Sequence, residues 1–120
     1  MQESTIVGGM KQYPDKTCEI ESLVRHPKLV EAAIAEKKTQ QRRDGVYAYP
    51  GEKFELNGTS FEVTSLTRET LGDMDDRAAQ AEGCPSMEMY KGLILSMHKG
   101  MQWDESTPVW VHSFKRVDAD

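Results

Sequence analysis

The sequence predicts an α+β domain: a small, mostly antiparallel β-barrel carrying short helices on its rim. Three observations lead there. Asn57-Gly58 sits between the alternating segments Phe54-Glu55-Leu56 and Phe61-Glu62-Val63, the signature of a tight hairpin. Val109 to Val117 alternates again, with Val109, Val111 and Ser113 on one face and Trp110, His112 and Phe114 on the other. No regular succession of crossover helices separates these strands, as parallel pairing would require.

The elements follow in order. Residues 1–16 hold Gly8, Gly9 and Pro14 with few apolar side chains, and read as a flexible leader before a domain over 17–120. Cys18 to Val24 reads as a short strand or extended segment. Pro27 stands where a first helical residue belongs, and Leu29, Val30, Ala33 and Ile34 give a one-sided stripe ending near Lys37. Asp44-Gly45 is a turn pair, and Tyr47 and Tyr49 fall in the loop after it. The second hairpin strand runs on through Thr64, Leu66 and Arg68. Asp73 to Gly83 reads as a helix with acids in its first turn and glycine as its stop. Pro85-Ser86 starts another, striped by Met89, Tyr90, Leu93, Ile94 and Met97 and closed by Gly100. Trp110 is expected in the core, and Trp103 over a barrel opening.

Composition narrows the function. A chain of 120 residues is one domain's worth, and its 38% hydrophobic and 29% charged content is ordinary for a globular protein. No apolar run approaches the roughly 20 residues that span a bilayer, so no membrane partner is expected. The N-terminus lacks a basic-then-apolar secretory pattern, which makes the cytoplasm the expected compartment. There Cys18 and Cys84 are expected as separate thiols. A net charge of -5 argues against long duplex DNA, whose binding scales with phosphates neutralised. Yet Glu36 to Arg43 gathers four cations within eight residues, a local island suited to the anionic groups of a nucleotide or RNA. His26, His98 and His112 form no metal-ligand spacing with either cysteine, and no metal or cofactor is expected.

Lys38-Thr39, Arg43, Gly51 before a strand, Glu82-Gly83 and the closing Trp110-Val111-His112-Ser113-Phe114 together resemble the ASCH domain family of the PUA-like β-barrel superfamily. The resemblance covers roughly residues 20 to 117. The family's usual pattern after the first helix is Gly-x-Lys-x-x-(Glu or Thr)-x-Arg. Lys38 and Arg43 match its basic members, while Glu36 replaces the glycine and Gln41 the acid or hydroxyl. The resemblance implies a PUA-like barrel with a cleft between the barrel and the first helix, suited to RNA or a modified nucleoside; the chain is expected to be a monomer. The ligand contacts carried over are Lys38, Gln41, Arg43 and Glu82; Tyr47 and Tyr49 are expected as stacking residues from their own place in the loop beside the cations.

An enzymatic branch, similar to the bacterial amidohydrolases acting on N4-acetylcytidine, implies Lys38 and Glu82 as catalytic residues. A nucleoside amidohydrolase or a ribonuclease is therefore the alternative to a binding module. The branch's threonine position is Gln41, whose amide hydrogen-bonds but cannot serve as a covalent nucleophile. Thr39, two residues back on the same strand side, is the remaining hydroxyl. The ordinary roles stand beside these: Lys38 as a helix-end cation, Arg43 as a salt-bridge partner of Glu82 or Asp73, His112 as a satisfied structural histidine. A carboxylate at the helix end before Gly83 needs a partner, and Lys38 is the expected one.

Overall fold

The computed structural model describes residues 13–117, so most of the leader expected over 1–16 lies outside the described residues. Tyr13, within it, stacks on Tyr49, whose hydroxyl donates to Pro14 O at 2.8 Å. The segment Cys18 to Val24 is not extended; it forms a 3-10 turn over Ile20–Ser22. The reason is its spacing. Ile20, Leu23 and Val24 stand at i, i+3 and i+4, which puts all three on one side only when the backbone coils, and all three are buried.

Helix α1, Pro27–Ile34, starts on Pro27 with His26 Nδ1 accepting from the Lys28 N–H. It stops short of Lys37 because Glu36 takes a left-handed φ of 63°. The N–H groups of Glu36 and Lys37 then return to Ala33 O and Ala32 O, each at 2.9 Å, closing the helix in a Schellman-type cap. Strand β1, Gln40–Arg43, follows.

Strands β2, Lys53–Leu56, and β3, Thr59–Thr70, form the expected hairpin. Both turn residues lie at positive φ, Asn57 at 51° and Gly58 at 85°, as a two-residue turn matching strand twist requires. A bulge between Val63 and Ser65 shifts the register of β3. It allows Val63 and Leu66, three positions apart, both to be buried. Strand β4, Pro108–Arg116, pairs antiparallel with both β3 and β1. The sheet order is β1-β4-β3-β2, and the sheet curls into a half-barrel. The α+β class with short helices around a curled antiparallel sheet therefore holds.

The helix expected over Asp73 to Gly83 divides into a 3-10 turn, Leu71–Asp73, and α2, Asp76–Ala81, which the Asp75 side chain caps. Helix α3, Met87–Met97, is capped by Ser86. Of its expected stripe only Tyr90 is buried; Leu93 and Ile94 are half-buried, while Met89 is 58% and Met97 37% exposed.

Two cores result. Leu23, Ala33, Phe54, Phe61, Val63 and Phe114 fill the hollow of the sheet, with the three phenylalanine rings 5.4 to 5.7 Å apart. Such aromatic pairs contribute about 0.5–1.5 kcal/mol beyond area burial. Leu71, Met74, Ala79, Cys84, Tyr90 and Val109 pack beneath α2 and α3, and Leu93 touches both groups. Trp103 joins this second core, edge-on to Tyr90. Trp110 does not enter either: it is half-buried, with the Arg68 guanidinium over its ring. Both cysteines are free. No helix among the described residues is long and apolar enough to cross a membrane.

Candidate functional site

The chain leaving α2 runs beside the start of β1, where the Thr39 N–H donates to Ala81 O at 2.7 Å. The approach is close enough to require glycine. Gly83 lies at φ 101°, and a Cβ there would meet Ala32 Cβ and Lys38 Cβ, each at 3.3 Å. Lys38 and Glu82 are thereby pressed together, each 1% exposed.

All three ammonium hydrogens of Lys38 have acceptors: Gln40 O at 2.6 Å, Glu82 O at 3.0 Å and Glu82 Oε1 at 3.2 Å. The other carboxylate oxygen of Glu82 accepts from Arg42 Nη1 at 2.9 Å, and Arg42 Nε donates to Glu69 Oε2 at 2.6 Å. Lys38, Glu82, Arg42 and Glu69 form an alternating line of two cations and two anions. Buried charges are tolerated on such terms, paired and hydrogen-bonded. Burial pushes the Lys38 ammonium below its ordinary pKa while Glu82 pulls the other way. Burial also opposes the charge of Arg42, but Glu82 and Glu69 outweigh it and raise its pKa.

In front of this line lies a cleft with adjoining cavities of about 400 and 610 Å³, within the range of small-ligand sites. Arg42 and Arg43 from β1 form its floor, Arg25 comes from the turn before α1, and Tyr90, Ile94 and His98 come from α3 and its end. Gln41 and Glu82 line the smaller cavity and Tyr47 the larger.

The expected site residues divide accordingly. Gln41, Arg43, Tyr47 and Glu82 reach the cleft; Lys38 stands behind Glu82 without lining it. Tyr49 turns away to Tyr13 and Pro14. Thr39 is exposed and outside the cleft lining, its backbone engaged with Ala81 and Phe114. Arg42, 8% exposed, takes the carboxylate pairing with Glu82, and Arg43 does not. Arg43 Nε and Nη2 instead donate to Leu23 O at 3.1 and 2.7 Å, and its guanidinium sits 5.2 Å from the Tyr47 ring centre.

Gln41 is 5% exposed. Its Nε2 donates to Arg42 O at 3.3 Å, and its buried Oε1 has no partner among the described residues. Exchanging the amide ends would set two oxygens face to face, so the unpaired atom is the acceptor. His112 anchors the floor from below. Its Nε2 accepts from the Tyr47 N–H at 3.0 Å and its Nδ1 lies 3.2 Å from Gln41 O. An N–H donor at Nε2 requires the neutral ring with hydrogen on Nδ1. Burial lowers its pKa, in keeping with that form. Among the described residues, no group of three His, Cys, Asp or Glu side chains could hold a metal ion.

Sequence reasoning missed Arg25, Tyr90 and His98 as cleft residues. Tyr90 carried a signal, a hydroxyl-bearing ring in an otherwise apolar stripe. Arg25 and His98 carried none, since only the packing of α3 against the turn before α1 brings them together.

No family model matches the chain, and no curated protein matches it. Among solved structures, an ASCH domain from Lactobacillus crispatus JV V101 superposes with a TM-score of 0.62 at 11% identity, covering 93% of this chain and 86% of that one. A DUF984 protein from Enterococcus faecalis V583 superposes with a TM-score of 0.55 at 16% identity, covering 88% and 77%. At such identities the likeness is one of backbone architecture. Together with the curled antiparallel sheet and its rim of short helices, it gives this chain an ASCH-like fold.

Proposed function

We propose that the chain binds RNA or a modified nucleoside in the cleft between α1 and α3. The observation that carries this reading is the cleft's charge. Arg25 and Arg43 line it without an ion-pair partner among the described residues, on a chain whose net charge is -5. Arg43 has Nη1 left over after its bonds to the Ser22 and Leu23 carbonyls, a donor placed for phosphate or a base edge. Tyr47 beside it offers a ring for stacking, and the buried Gln41 Oε1, unpaired among the described residues, suits an N–H donor on the ligand once the amide turns toward the cavity.

Support for binding over turnover comes from Lys38. A general base or nucleophile must reach the reacting atoms, yet Lys38 is 1% exposed with every ammonium hydrogen engaged. Thr39, the hydroxyl nearest in sequence to the enzymatic branch's threonine position, lies outside the cleft lining. Titration with short RNAs and with nucleosides, N4-acetylcytidine included, tests the reading. The expected result is binding that weakens with added salt and falls on Arg43→Ala. Absence of salt-sensitive binding, or binding unchanged in that variant, defeats it.

A further inference from the structure

The face of the sheet that leaves the cleft carries a second feature. Arg43 on β1 lies directly opposite Trp110 on β4, and Trp110 directly opposite Arg68 on β3. Directly paired residues in antiparallel strands share a face, so the three side chains form one row that begins at the cleft wall. The Arg68 guanidinium sits 4.8 Å from the Trp110 ring centre, as Arg43 does over Tyr47 at 5.2 Å. Cation and ring thus alternate along Tyr47, Arg43, Trp110 and Arg68.

At the cleft end of the row Asp44 lines the larger cavity with Arg43 and Tyr47, but it makes no ion pair among the described residues. Arg43 and Arg68 make no ion pair among the described residues. Glu69, the next residue along β3, points to the opposite face, where it pairs with Arg42. Trp110 is half-buried and Arg68 exposed, so ring and guanidinium both reach solvent. Three neighbouring strands span about 10 Å, against ~3.4 Å for each stacked nucleotide. Alternating rings and unpaired cations along such a track match a chain that alternates bases with phosphates.

We infer that the ligand is a single strand of RNA, one nucleotide entering the cleft while its neighbours cross the sheet over Arg43, Trp110 and Arg68. This rests on the nucleotide reading of the cleft and goes beyond it, since a free nucleoside would not touch Trp110 or Arg68. The test compares a nucleoside 5′-monophosphate with a single-stranded RNA hexamer on the full chain, by calorimetry and tryptophan fluorescence. The hexamer should bind at least ~10-fold more tightly, and Arg68→Glu and Trp110→Leu should each weaken it about 5- to 10-fold. Both variants should leave the monophosphate within about twofold of the unaltered chain. Equal affinity for the two ligands, or equal loss of both in the variants, overturns the track while sparing the cleft. Binding of neither ligand overturns both. Arg68 is exposed, so Arg68→Glu decides the matter if Trp110→Leu disturbs folding.

Discussion

Lys38 Nζ and Glu82 Oε1 lie 3.2 Å apart in the interior although 44 positions separate them in the chain. With Arg42 on the other carboxylate oxygen, Glu82 answers two buried cations at once. Glu82→Gln removes that answer, and breaking a buried pair from one side costs about 3–5 kcal/mol. Urea unfolding should show a loss of this size. Adding Lys38→Met to Glu82→Gln should cost far less than Lys38→Met alone, because the stranded ammonium goes with it. Strictly additive losses would mean that the two groups do not act as a pair.

Glu36 occupies the left-handed closing position of α1, at φ 63°. Only glycine adopts that conformation without steric cost, and the penalty for other residues is about 1–2 kcal/mol. Glu36→Gly should therefore stabilise the chain by about 1 kcal/mol, less the extra freedom glycine gives the unfolded state. A higher urea midpoint with unchanged slope is the expected reading.

Gln41 lines the cleft, and its Oε1, buried and without a partner among the described residues, is an acceptor that meets a ligand once the amide turns toward the cavity. Ligands presenting an amino or amide N–H should be preferred over those presenting a carbonyl, cytidine over uridine for instance. One hydrogen bond of about 0.5–1.5 kcal/mol corresponds to roughly 2- to 10-fold in affinity. Gln41→Leu should erase the preference. A preference that survives this substitution places the discrimination elsewhere.

His112 holds the Tyr47 N–H through an unprotonated Nε2, and burial, ahead of every other influence, lowers its pKa. Its folded pKa therefore lies below the unfolded value of about 6.5. Below that pH the unfolded chain takes up a proton that the folded chain resists. Stability is complete above about pH 6.5 and falls as pH drops through the interval beneath it, by at most about 1.4 kcal/mol per unit from this group. Urea midpoints measured from pH 7.5 to 5.5 should decline, and His112→Gln should flatten the decline while lowering stability throughout.

Local chemistry made much of the fold legible. Asn57-Gly58 announced its hairpin through two positive φ angles, and Ser86 announced the start of α3 through its capping oxygen. The segment around Ile20 was misread because three apolar residues were weighed for alternation although their spacing was helical. The glycine in the family pattern at the Glu36 position has a physical reason, the left-handed close of α1, which the residue order alone did not disclose. Gln41 and Arg43 followed from the resemblance. Arg42 did not, because the family pattern passes over its position and no local signal shows that Glu69 and Glu82 come to meet it. Tyr49 was grouped with the cations by proximity in sequence, but its ring found Tyr13. Arg25 and His98 belong to the cleft only through tertiary packing, which no local pattern encodes.

The most direct test is an amide chemical-shift titration of the labelled chain with a single-stranded RNA hexamer. Saturable shifts are expected at Gln41 to Tyr47, around Glu82, at Tyr90 and along Trp110 and Arg68, weakening as salt rises, with the β2–β3 turn at Asn57-Gly58 unmoved. Shifts confined to the turn or to the outer side of α3 around Met89, or none at all, would contradict it.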